Sequence, residues 1–106
     1  MLRVDPGTGR LSLQQALADR ERVLRAFLDA DGRLVSMPAK HRKRLVVLDH
    51  VARVFEPGVR YPETEVNALV RAFHDDVAML RRYLVDEGFL ERDHGVYWRS
   101  GGTVVL

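Results

Sequence analysis

Residues 61–99 constrain the fold more tightly than any other stretch of the chain. Val66, Leu69, Val70 and Phe73 recur at helical spacing, His74-Asp75-Asp76 interrupts the period, and Val77, Leu80 and Leu84 resume it. Gly88 stops that second helix. Phe89 to Arg92 and Val96 to Arg99 then alternate as strands around Asp93-His94-Gly95, a hairpin turn with glycine where a positive φ is wanted. Helix, turn, helix and hairpin in this order outline a winged helix-turn-helix, whose second helix is the usual DNA-reading element. The expected fold class is α+β, mostly helical, with a C-terminal β-hairpin wing and an extra N-terminal helix.

The extra helix announces itself upstream. Ser12 and Gln15 form a capping-box pair, and Leu11 with Ala16 is placed to staple the helix start. Leu13, Ala16, Leu17, Leu24, Phe27 and Leu28 follow at helical spacing, and Gly32 closes the helix. Arg33 to Met37 predicts a brief strand stopped by Pro38. Lys40 to Phe55 predicts a helix apolar on most sides, hence central, ended by Glu56-Pro57-Gly58. Pro62 suits the first position of the next helix, with Glu63 and Glu65 in its first turn, and Asp75 is the expected N-cap of the last. Asp5 to Gly9 is turn chemistry, and Ser100-Gly101-Gly102 predicts a flexible exit before Thr103 to Leu106, a segment able to add a strand. The expected division is an N-terminal tail 1–12, a single domain 13–99 with its winged core at about 38–99, and a C-terminal tail 100–106.

A chain of 106 residues can bury one core without staples. It has no cysteine, which removes disulfides, thiolate metal sites and cysteine nucleophiles. No apolar run is long enough to span a membrane, and MLRVDPGTGR lacks the apolar stretch of a signal peptide, so a cytoplasmic location is expected. The net charge of +2 hides an asymmetry. Residues 1–60 hold 12 Lys/Arg against 7 Asp/Glu, while residues 61–106 hold 5 against 8. Phosphate binding draws its affinity from cations, and most of them lie outside the reading head.

Three groups of side chains are candidates for DNA or anion binding. Lys40, Arg42, Lys43 and Arg44, with His41 between them, start a helix whose dipole they oppose, a cost that a bound phosphate or internal acidic partners would offset. Arg81 and Arg82 on the reading helix suit phosphates or a guanine edge, but Asp75 and Asp76 at its leading end repel the backbone. An internal network with Glu63, Glu65 or those aspartates competes for the same arginines. Arg92, Arg99 and the Tyr97-Trp98 pair form the wing candidates, with packing against the helices as the competing use of the aromatics. His74, Asp75, Asp76, Glu63 and Glu65 lack metal-ligand spacing. No Gly-rich phosphate loop, nucleophile elbow or nucleotide fingerprint is present, so neither enzyme chemistry nor a cofactor or metal is expected.

These residues carry a resemblance. Met37-Pro38-Ala39-Lys40 with Lys43-Arg44, Phe55-Glu56-Pro57-Gly58 with Tyr61, Glu63, Glu65-Val66-Asn67, Leu80 through Gly88, and Arg92 with Tyr97-Trp98 are blocks similar to those of domain-of-unknown-function family 2087. The likeness covers roughly residues 28–99. The family often carries a threonine where this chain has Pro62, which removes a capping hydroxyl. The resemblance implies a winged-helix-like domain associated with bacterial transcriptional regulators. The expected function is therefore a DNA-binding module that contacts phosphates through its basic helix start. The alternative is a non-catalytic interaction or dimerisation module that keeps the winged shape without reading DNA, with residues 13–29 as the dimer arm. Double-stranded DNA and a second copy of the chain are the corresponding partners. A weaker third role is ligand sensing, with an anion at Lys40–Arg44.

Overall fold

The computed structural model describes residues 12–102. Its elements run α1 (Leu13–Phe27), α2 (His41–Ala52), β1 (Arg60–Pro62), α3 (Glu63–Val70), α4 (Val77–Asp86), β2 (Leu90–Asp93) and β3 (Val96–Arg99). The three strands form one antiparallel sheet in the order β1-β3-β2. From α2 onward this is a winged helix-turn-helix, with α3 and α4 as the helix pair, β2–β3 as the wing, and α1 added in front. The readings that fall on residues 1–11 and 103–106 lie outside the described residues.

The capping box of α1 is formed. Ser12 Oγ accepts the Gln15 N–H at 3.2 Å, and Gln15 Oε1 accepts the Ser12 N–H at 3.1 Å. The helix ends earlier than Gly32, however, at an extended Leu28. The cause is Asp29, whose Oδ1 accepts the N–H of both Asp31 and Arg33 at 2.9 Å and folds the chain into a tight loop. Gly32 serves that loop rather than a helix end. The expected strand at 33–37 reduces to an isolated bridge between Leu28 and Leu34. Leu34 N–H donates instead to Phe73 O at 2.7 Å, so the segment docks on the end of α3.

Central placement of α2 follows from its sequence: Val47, Leu48, Val51 and Ala52 have no exposed surface. The helix stops at Ala52, and Arg53 to Phe55 continue in a tighter turn of i→i−3 bonds that buries Phe55. Val66 and Val70 of α3, Leu80 and Leu84 of α4, and Leu90 and Tyr97 of the wing complete the core, joined by Val23 and Leu34.

Two turn assignments differ from the sequence expectation by one residue. Pro62 is the last residue of β1 and the N-cap of α3, with no side-chain cap bond. Asp76, not Asp75, caps α4, its Oδ1 accepting the Met79 N–H at 3.1 Å. Asp75 is held outward by Arg33 at 2.8 Å. β1 itself was not anticipated; it pairs Arg60, Tyr61 and Pro62 with Trp98, Tyr97 and Val96. The proline, which lacks an N–H, is tolerated because β1 is an edge strand.

The hairpin turns through His94 (φ 50°) and Gly95 (φ 77°), the two positive φ values of a two-residue type I′ loop. Ser100 to Gly102 are not a loose exit. The N–H groups of Ser100 and Gly101 both donate to Phe89 O, and Ser100 Oγ donates to Gly88 O at 3.1 Å. A methyl group at Gly101 would stand 2.7 Å from Gly88 O, so this close approach requires glycine.

Candidate nucleic-acid interface

Helix α4 shows one face to the core through Leu80 and Leu84 and another to solvent. Asp76, Ala78, Arg82 and Asp86 are exposed, and Met79 and Tyr83 are half-buried beside them. Between α4 and the wing lies a groove of about 300 Å³ walled by Arg81, Arg82, Asp86, Arg92 and Tyr97. The fold thus brings Arg92 of the wing to the two arginines of α4.

The three arginines of that groove are not equivalent. Arg81 is held from behind: its Nη1 donates to Asn67 Oδ1 at 2.5 Å and its Nε lies 3.6 Å from Glu63 Oε1. The same Glu63 oxygen accepts the hydroxyl of the fully buried Tyr97 at 2.7 Å. Glu63 and Asn67 stand one turn apart on α3, so both reach α4 from a single face. Asn67 was not a sequence candidate; its spacing from Glu63 was the available signal. Arg82 and Arg92 are exposed and make no ion pair among the described residues.

The basic start of α2 is divided among neighbours rather than gathered into one site. Arg42 crosses to Asp19 of α1 at 2.6 Å. Arg44 turns the other way, donating through Nη1 to Ala39 O at 3.1 Å and lying over the Tyr83 ring at 5.5 Å, with its Nε 3.5 Å from Glu87 Oε2. His41 Nε2 approaches Glu87 Oε1 at 3.2 Å. These contacts offset the unfavourable meeting of cations with the helix N-terminus. Lys40, exposed at the N-cap position, and the half-buried Lys43 have no acidic partner among the described residues.

On the wing, Arg99 donates from Nη1 to Phe55 O at 3.2 Å and from Nε to Gly101 O at 3.1 Å. Trp98 lies under the Arg60 guanidinium at 4.3 Å. The aromatic pair therefore packs, Tyr97 into the core and Trp98 against β1. Away from the groove, His50 is half-buried beside α1, with its ring edge-on to Phe73 in the turn after α3 at 5.9 Å. Burial, then Arg20 and Arg53, lower its pKa from the usual 6.5, with Asp49 opposing. Among the described residues no three His, Asp or Glu side chains are grouped to hold a metal ion, and no helix is long and apolar enough to cross a membrane.

No curated protein and no solved structure matches the chain. One family model does match, over residues 33–99, which takes in everything from the loop before α2 to the end of the wing and leaves α1 outside. That is more than half of the sequence, and the chain belongs to the family described as uncharacterized protein conserved in bacteria, DUF2087.

Proposed function

We propose that this protein is a winged-helix nucleic-acid-binding module, which the resemblance to regulator-associated domains links to bacterial transcriptional control. The observation that carries the reading is Arg82 on α4 and Arg92 on β2, two exposed guanidinium groups at one groove with no carboxylate partner among the described residues. Lys40 and Lys43, likewise without an acidic partner among the described residues, add two further cations at the start of α2. Arg44, Arg81 and Arg99 are engaged inside the fold and Arg42 in a surface ion pair with Asp19, so the phosphate-contacting set we propose is four residues rather than eight.

Four contacts make a quantitative expectation. Fluorescence anisotropy with a labelled mixed-sequence duplex should give affinity that falls about 10²-fold between about 50 and about 200 mM salt, because each neutralised phosphate contributes about 0.9 to the log–log slope. Absence of binding at the lower salt would sink the reading.

A second reading is a non-catalytic protein-interaction module. It is favoured by Asp76 and Asp86 on α4 and by Glu91 and Asp93 on β2, exposed carboxylates that would repel a phosphate backbone. It expects no duplex binding at either salt concentration.

A further inference from the structure

We propose that α1 is a self-association arm, pairing antiparallel with α1 of a second copy of this chain about a two-fold axis near Glu21. The inference is independent of nucleic-acid binding. Leu13 is 75% exposed and Leu17 54% exposed, while Leu24, further along the helix, and Leu28, its extended C-cap, are half-buried. At 3.6 residues per turn Leu13, Leu17 and Leu24 fall on one stripe about 40° wide, and Leu28 follows at its C-terminal end. Its N-terminal half is a pair of apolar knobs. Its C-terminal half, with His50 and Gly32, walls an open groove of about 570 Å³.

One helix therefore carries both a protrusion and a recess, in the arrangement a two-fold axis needs. In an isologous contact residue i meets j of the partner and j meets i. Setting Leu17 against the second copy's Leu24 sets Leu13 against its Leu28, and the same two contacts recur on the other side of the axis. Charge permits this register. Residues 12–18, Ser-Leu-Gln-Gln-Ala-Leu-Ala, carry no formal charge in a chain that is 30% charged. Arg20, about 20° beyond the stripe's edge, is bonded to Asp49 at 3.3 Å. The axis falls between Arg20 and Glu21, so Glu21 of each copy lies opposite Arg20 of the other, and Glu21 also has Arg25 of its own helix at 3.9 Å.

Sedimentation of the full chain without DNA tests the arm. The mass is expected to rise from one chain to two as protein increases from micromolar to submillimolar. Leu17→Glu should hold it at one chain with unchanged helical circular dichroism, since that side chain is exposed. A cysteine-free background makes the register measurable as well. Glu21→Cys should oxidise to a crosslinked dimer, whereas Leu13→Cys should not, since its mate lies about 22 Å away along the paired helices at 1.5 Å per residue. A one-chain mass at every concentration, a dimer that survives Leu17→Glu, or equal crosslinking of the two cysteine variants would each overturn the proposal. Duplex binding by the monomeric Leu17→Glu variant keeps the two readings separate: it can persist whether or not the arm pairs.

Discussion

A guanidinium that already holds carbonyl groups and an aromatic face is costlier to remove than one standing in water. Arg44 is of the first kind, bonded to Ala39 O, stacked on Tyr83 and paired with Glu87. Arg82 is of the second. Arg44→Ala should destabilise the fold by about 1–3 kcal/mol, since Glu87 loses a charged partner in a part-buried setting. Arg82→Ala should stay within about 0.5 kcal/mol of the parent. Thermal denaturation compares them directly, and equal melting temperatures would show that Arg44 is no support. His50 supplies a pH dependence. Its folded pKa lies below the ordinary 6.5 through burial, then Arg20 and Arg53, so the unfolded chain takes up the proton more readily. The stability linked to neutral His50 is complete above 6.5 and is lost as pH falls below it. His50→Gln should flatten the decline in melting temperature between about pH 7 and about pH 5. A variant as acid-sensitive as the parent would remove His50 as the cause.

Among the elements, the wing was the most legible. Asp93-His94-Gly95 between alternating segments specifies a tight hairpin from local chemistry alone, and both turn residues adopt the positive φ it requires. His94→Val should cost about 1–2 kcal/mol, the penalty for holding a side chain in the left-handed region, with His94→Asn neutral or slightly stabilising. Urea midpoints would decide it, and a neutral valine variant would mean the turn relaxes to another type. β1 was not legible because three residues with a terminal proline show no alternation; only the register with Tyr97 makes them a strand. Asp75 and Asp76 are equally good caps by sequence, and Arg33, 42 residues upstream, takes Asp75 for an ion pair. The candidate site shared that limit. Residue type nominated eight cations and named Glu63 as a competing partner for Arg81, but the internal use of Arg42, Arg44 and Arg99 depended on Asp19, Glu87 and the Phe55 carbonyl, which lie far away in sequence.

At the scale of the whole molecule, the small net charge makes the position of each unpaired cation decisive. With a formal +2, the protein offers no diffuse positive field strong enough to hold a duplex unaided, so the proposed contact with a duplex rests on a local array. Among the described residues there are two candidate arrays, Arg82 with Arg92 at the groove and Lys40 with Lys43 at the start of α2. They can be separated by counting ions. Replacing Arg82 and Arg92 together by serine should lower the salt slope by about 2 of about 4, as expected for two lost phosphate contacts. Replacing Lys40 and Lys43 should lower it by a similar amount, and neither pair should shift the melting temperature. If the lysine pair reduces the slope while the arginine pair leaves it unchanged, the duplex lies along α2 and the reading helix is not what it touches. Equal losses from both pairs would place one duplex across the start of α2 and the groove at once, with α4 facing it as a helix in the major groove does.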